Sequence, residues 1–305
     1  MHTAVHSLYR RAIPAGIRRW LYSVHYFWGE SAGITRLARR GPARLWLAAI
    51  RVFMCFKHEM PLRLVRRVAI PVWVEPAGRV FVSDWSELLV VREIYQSPGD
   101  YDLTGLPEHP QVIVDIGANI GLAAKFFRDR YPKAKIVAYE PDPESFRMAQ
   151  RNVHDLTYLS LRNLAVGPSF ERLRLYRVAG ESWGTSAFAT DQTVAETFEV
   201  DAVTLDSIIE ELGTIDILKI DIEGAEYEVL QACWQLNRIN CIVGEFHAVP
   251  DVTPAQFFSL LDVFEFEILE NNASHGKGTF FARRRLKPSA ETILTDTPTQ
   301  ASSDA

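Results

Sequence analysis

Residues 112–121, Val-Ile-Val-Asp-Ile-Gly-Ala-Asn-Ile-Gly, constrain the fold more than any other stretch of this chain. A short, continuous apolar run is how a strand buried on both faces reads, and such strands belong to parallel sheets. The run closes in a turn with glycines at 117 and 121, then passes into a helical segment from about Leu122 to Tyr131. The alternation continues: a strand at Ile136–Tyr139, a helix at Asp142–Val153, a strand at Leu159–Asn163, a helix at Leu205–Glu211 and a strand at Ile215–Ile220. A helix from near Gly224, a strand at Cys241–Glu245, a helix at Pro254–Leu261 and closing strands at Phe264–Leu269 and Thr279–Arg283 complete it. This rhythm specifies an α/β fold, an open and mostly parallel sheet with helices on both faces. Two extra strands, Leu173–Tyr176 and Phe198–Val200, flank a loop within 170–200.

The flanks differ from this body. Residues 1–67 read as a basic helical extension, with aromatic residues among arginines. Residues 68–110 read as an accessory hairpin about Pro76-Ala77-Gly78 followed by a helix over Ser86–Tyr95. Residues 111–286 hold the α/β domain, and 287–305, rich in Ser, Thr, Pro and Asp, read as a disordered tail. The net charge of −5 conceals an asymmetry: residues 1–67 carry 13 Lys and Arg against Glu30 and Glu59, and the rest carries 20 basic against 36 acidic residues. An acidic body of this kind repels phosphates and excludes nucleic acid as a partner. Three widely spaced cysteines, Cys55, Cys233 and Cys241, form no disulfide framework or metal knuckle and point to a reducing, cytoplasmic setting. Arginines 10, 11, 18 and 19 break any leader-like run, and Leu45–Phe56, interrupted by Arg51, is shorter than the roughly 20 residues a spanning helix needs.

Four groups of residues carry chemistry. In the first, Asp115, Gly117, Asn119 and Gly121 sit between a strand and a helix N-terminus, where backbone approaches a ligand and N–H donors are unpaired. The pattern is neither G-x-G-x-x-G nor a P-loop. The second is Glu140, at the end of the second strand and 19 residues past Gly121, placed to accept both hydroxyls of a ribose. The third is Lys219-Ile220-Asp221-Ile222-Glu223-Gly224-Ala225-Glu226, breaking out of an apolar strand at the sheet's carboxyl edge. The fourth is Glu245-Phe246-His247, where period two sets both polar side chains on one side. Asp221, Glu245 and His247 are a hard donor set for a divalent metal, but a hydrogen-bonded acid–histidine pair is the favoured reading. His275 in a Gly-bearing loop is a weaker candidate for the cleft border.

Taken together, VDIGANIG (114–121), YEPDP (139–143), Asn163-Leu164-Ala165-Val166-Gly167, Gly184-Thr185-Ser186, LKIDIEGAE (218–226) and Glu245-Phe246-His247 resemble the FkbM family of S-adenosylmethionine-dependent methyltransferases. The resemblance spans about Gln111 to Arg283. It implies a class I methyltransferase fold, Rossmann-like, with a seven-stranded sheet and an antiparallel last hairpin. It also implies O-methylation of a hydroxyl on a sugar, glycan, glycolipid or natural product. By that resemblance Asp115, Gly117, Asn119 and Gly121 line the methionine part of the cofactor, Glu140 holds the ribose, and Asn163, Leu164 and Ala165 edge the adenine. Asp221 and Glu223 face the methyl-transfer cleft.

The chemistry then asks for an oxygen brought in line with the methyl–sulfur bond and for removal of its proton. His247 or Asp221 is the expected base, beside Glu245, with Lys219 or Glu223 tuning its pKa. The Asp/Asn-Pro-Pro-Tyr/Phe signature of nitrogen methylation is absent after the fourth strand. Two other classes compete: a degenerate scaffold docking partners through the basic segment, and a nicotinamide dehydrogenase, which the missing G-x-G-x-x-G disfavours. For residues 1–67 three roles stand open: ionic packing onto the acidic body, attachment to the inner face of an anionic membrane, and a lid that forms a homodimer.

Overall fold

The computed structural model describes residues 38, 41–57, 68–96, 105–178, 185–186, 194–247, 249, 252–271 and 277–285. In chain order these form α1 (Pro42–Lys57), a hairpin of β1 (Ile70–Val74) and β2 (Gly78–Val82), α2 (Trp85–Gln96), β3 (Val112–Ile116) and α3 (Leu122–Arg130). Next come β4 (Lys135–Tyr139), α4 (Pro143–Val153), β5 (Leu159–Arg162), β6 (Ala165–Gly167), β7 (Leu173–Val178), β8 (Thr185–Ser186) and β9 (Val194–Val200). The chain continues through β10 (Ala202–Thr204), α5 (Leu205–Leu212), β11 (Ile215–Ile220), α6 (Glu226–Ala232), β12 (Ile239–His247), α7 (Pro254–Val263), β13 (Phe266–Asn271) and β14 (Lys277–Arg284).

Seven strands form the central sheet in the order β13-β14-β12-β11-β3-β4-β5. From β12 to β5 all neighbours are parallel, and β14 runs antiparallel to both β12 and β13. This is the expected Rossmann-like methyltransferase sheet with its reversed last hairpin. Period two along the strands feeds two cores. Ile113, Ile136, Ala138 and Ile217 face one that also takes Val72, Val80, Leu88, Val91 and Phe127 from the hairpin, α2 and α3. Val114, Ile116, Val137 and Leu218 face the other, filled by Ile208, Leu230, Phe257 and Leu261 from α5, α6 and α7. Each such fully buried Val, Leu, Ile or Phe side chain stabilises the fold by roughly 1.5–3 kcal/mol before entropy is counted. The accessory hairpin therefore shares a core with the sheet, and Asn152 of α4 ties it further by pairing with both N–H and C=O of Phe81.

Register is locked at the amino ends of the strands. The Asp216 carboxylate accepts from the N–H groups of Gln111 and Val112 at 2.7 and 3.0 Å and from the Asn240 side chain at 3.0 Å, joining β3, β11 and β12. The opposite, carboxyl ends of these strands are left to loops. The chain runs outward from β3 to β5 and then crosses back to β11, so the strand order reverses between β3 and β11. Ligands bind at that switch point in open α/β sheets.

The crossing from β5 to β11 holds the two expected extra strands as β7 and β9, both longer than expected and paired antiparallel, with β8 added at the other edge of β7. The parallel pair of β6 and β10 was not expected. Three-residue strands such as β6 and β10 give no periodic signal. Helix α6 starts at Glu226, two residues beyond the expected start, because Glu223 and Gly224 both take positive φ and hold the chain in a turn. Of residues 1–67 the structure describes residue 38 and 41–57. There α1 leaves Leu45 and Trp46 exposed, and the Trp46 indole donates to the Pro71 carbonyl at 2.8 Å. The expectations for 58–67, 97–100, Trp183, Gly184, His275 and the 287–305 tail fall outside the described residues. Among those described, no helix is long and apolar enough to cross a membrane.

Candidate active site

The turn after β3 is shaped by close approach. Gly117 has φ 81°, and a Cβ there would stand 1.8 Å from the Asp221 carbonyl oxygen, so only glycine lets the turn meet the end of β11. Gly121 is required for another reason. A Cβ there would press on Ala149 and Val153 of α4 at 3.1–3.2 Å, which makes it a helix-packing residue. Asn119 between them takes φ 49°, a left-handed conformation that asparagine tolerates better than most residues.

Lys219 on β11 lies beside Asp115 on β3 in register. Both side chains are buried, and Lys219 Nζ is 3.2 Å from Asp115 Oδ1 and 3.8 Å from Asp221 Oδ2. The ammonium also donates to the Gly117 carbonyl at 2.6 Å, so it holds the glycine turn down. Removing either partner of such a pair would strand a buried charge. Asp115 Oδ1 has only the Lys219 ammonium, and Asp115 Oδ2, Asn119 Oδ1 and Asp221 Oδ1 are buried and accept no hydrogen bond among the described residues. Buried polar atoms are nearly always paired, so three such acceptors close to one turn suit a ligand bearing ammonium or hydroxyl donors.

Glu140 follows β4 and is buried. Its Oε2 accepts from the Asn119 N–H at 2.6 Å and its Oε1 from the Asp142 N–H at 2.8 Å. Burial pushes its pKa up to about 8, and the nearby Asp142 charge adds to the rise while the two N–H donors and Lys219 oppose it. Asn163 donates to the Glu140 and Pro141 carbonyls at 2.8 and 2.9 Å, fixing the loop from behind. Leu164 packs against the second core and Ala165 is buried in β6.

Past β11 and β12 the acids converge on His247. Its Nδ1 lies 3.0 Å from Glu226 Oε1, and its Nε2 is 3.3 Å from Glu223 Oε2 and 3.4 Å from Glu245 Oε2. Glu226 is itself fixed by the N–H groups of Ile222 and Gly224 at 3.0–3.2 Å. Burial lowers the imidazole pKa, but the hydrogen bonds and charges of Glu226, Glu245 and Glu223 outweigh it and bring it to about 10. Burial raises the Glu223 carboxyl, with help from Asp221, to about 7. Asp221 is raised too, by burial against the pull of Lys219. Glu245 goes the other way: burial would raise it, but His247 and Lys277, whose Nζ is 2.8 Å away, bring it to about 2.

The structure thus brings together Asp221, Glu223, Glu245 and His247 at one edge and Asp115, Gly117, Asn119 and Glu140 at the other, with Lys219 between them. One donor atom each from Asp221, Glu223 and His247 lies within 4.8 Å of the others, a set whose chemistry would admit a cation. It differs from the donor set that the sequence offered as the less favoured reading, with Glu223 in place of Glu245. Three residues were missed. Glu226 lies inside the 218–226 stretch, but only the fold reveals that it pins His247. Lys277 and Arg177, which reaches Asp142, come from distant strands and leave no local signal.

The sequence model of the FkbM methyltransferase domain matches residues 115–274. Methyltransferase sdnD of Sordaria araneosa is 30% identical over 236 residues, covering 65% of this chain and 89% of its own. The 31-O-demethyl-FK506 methyltransferase FkbM of Streptomyces tacrolimicus is 30% identical over 173 residues, 45% of this chain and 66% of its own. The hexuronic acid methyltransferase AglP of Haloferax volcanii is 27% identical over 189 residues, 57% of this chain and 72% of its own.

Proposed function

We propose that this chain, which belongs to the FkbM methyltransferase family, transfers the methyl group of S-adenosylmethionine to a hydroxyl of a sugar, glycan, glycolipid or natural product. When bound, the cofactor supplies an electrophilic methyl group on a sulfonium. Glu140 accepts the ribose hydroxyls, and the orphaned oxygens of Asp115 and Asn119 accept from the ammonium of the methionine part. Lys219 keeps the glycine turn and Asp115 in place. A net negative pocket suits a sulfonium cation.

The observation that carries the hydroxyl acceptor is the carboxylate–histidine cluster where β11 and β12 end, beside that turn. An alcohol must lose its proton as the methyl group arrives. In the free protein three carboxylates keep His247 protonated, so it serves as the charge that organises the cluster. Asp221 and Glu223 are the proton acceptors, and Glu223 at about 7 is matched to neutral pH. The relatives named for a 31-O position and for hexuronic acid support this substrate class.

The test pairs calorimetry of S-adenosylmethionine binding with mass spectrometry of surface glycans and lipids from cells with and without the protein. The expected loss is about 14 mass units, one CH₂, from a hydroxyl-bearing species. No binding of S-adenosylmethionine would overturn the donor, and a methyl group found on nitrogen would overturn the acceptor.

A further inference from the structure

We propose that Arg177 is a positioning residue for the cofactor: from the sheet inserted between β5 and β11 it fixes Asp142, and through Asp142 the ribose-binding carboxylate of Glu140. The inference rests on the reading of Glu140 given above. Arg177 lies in β7, outside the seven-stranded sheet, yet its guanidinium points inward. Its Nε donates to Asp142 Oδ2 and its Nη2 to Asp142 Oδ1, both at 2.8 Å, with 17% of the arginine and 3% of the aspartate side chain exposed. This two-pronged geometry sets orientation as well as distance, and lysine cannot reproduce it. Arg177 is held in turn by Glu196, its partner across β7 and β9, and its guanidinium lies 5.0 Å from the centre of the Phe198 ring.

Asp142 has three attachments, and they converge on the site. Its carboxylate caps α4 by accepting from the N–H groups of Glu144 and Ser145 at 2.7 and 3.3 Å. The same carboxylate takes the Arg177 fork. Its backbone N–H donates to Glu140 Oε1 at 2.8 Å. A cap needs no arginine, since the helix N-terminus already favours the charge. The fork makes physical sense as compensation for a second buried carboxylate two residues away. Asp142 and Glu140 are like charges with little solvent between them, and the guanidinium offsets the one that does not bind ligand. The other groups facing Glu140 are the Asn119 N–H, Lys219, and the Asn163 amide behind its carbonyl.

The consequence separates positioning from mere bracing. Without the guanidinium, Asp142 repels an ionised Glu140 more strongly, so cofactor binding should demand a higher pH. Without the Asp142 charge the demand should relax. Calorimetric titrations of the full chain with S-adenosylmethionine from pH 6 to 9.5 test this. Arg177→Ala should move the midpoint of the affinity–pH curve up by about one unit, which is about tenfold weaker binding at pH 7. Asp142→Asn, which retains a capping side chain, should move it down, and Arg177→Lys should keep the wild-type midpoint at reduced affinity. An arginine that only braces the inserted sheet would lower the melting temperature of Arg177→Ala and leave its midpoint where it is, and that result overturns the proposal. So does wild-type affinity in Arg177→Ala. If Arg177→Ala does not fold, Arg177→Gln, which keeps a hydrogen-bonding side chain without the charge, is titrated in its place, and an unmoved midpoint there overturns the proposal. A wild-type protein that binds no S-adenosylmethionine overturns the Glu140 reading and takes this inference with it, whereas tight wild-type binding with an unmoved midpoint in the arginine variant removes this inference only.

Discussion

Cofactor affinity should depend on pH through Glu140. The carboxylate is buried and already accepts two backbone N–H groups, but each oxygen has a lone pair left for a ribose hydroxyl. In the ribose-binding role proposed for it, the ionised form would accept both hydroxyls, and the protonated form would give up one acceptor to its own proton. Ligand therefore selects the ionised form and lowers its pKa. In the free protein that pKa is pushed up to about 8. Below pH 8 binding must expel a proton, so the dissociation constant should rise about tenfold per pH unit, or about 1.4 kcal/mol. From pH 8, where half the carboxylate is ionised, to pH 6 the expected loss is about 50-fold. Above pH 8 the curve flattens. Isothermal calorimetry at fixed ionic strength reads this directly, with Glu140→Gln as the reference because the cofactor's own amino group titrates nearby. The variant should lose the Glu140 part of the dependence and bind weaker above pH 8 by about 1.5–3 kcal/mol, the worth of a hydrogen bond to a charged group. The same raised pKa predicts the sign for folding: the unliganded protein should be favoured at low pH by this group and lose that contribution as pH rises through about 8. A wild-type curve parallel to that of Glu140→Gln would refute the argument.

Two further outcomes are expected. His247→Ala removes the cation that three carboxylates share, and should cut turnover at least tenfold while leaving S-adenosylmethionine affinity within about twofold; kcat measured beside a calorimetric Kd separates the two, and unchanged turnover would exclude His247 from the reaction. Gly117→Ala forces a Cβ to within 1.8 Å of the Asp221 carbonyl and strains a φ of 81°. It should cost at least about 1–3 kcal/mol of stability by thermal melting and weaken the cofactor as the turn shifts, and a wild-type melting temperature would show that the turn yields freely.

What the sequence disclosed and what it withheld follow from where each signal lives. The parallel strands were legible because burial on both faces demands continuous apolar runs, as in Val112–Ile116 and Ile215–Ile220. The polar residues that interrupt those runs mark the carboxyl edge, so Asp115, Glu140, Asp221 and His247 could be placed before any coordinates. The sequence treats Gly117 and Gly121 alike, as two glycines of one turn. Their difference appears only when β11 stands on one side and α4 on the other. The proton on His247 was likewise invisible, because it depends on carboxylates from a turn, a helix and a strand meeting one ring. An isolated histidine titrates near 6.5 and reads as a base. Surrounded by Glu223, Glu226 and Glu245 it is held as a charge, and in the proposed mechanism the basic role passes to the acids beside it. A motif therefore reports which groups gather at a site, whereas their division of labour is set by which of them can share a proton, and that is a property of distances.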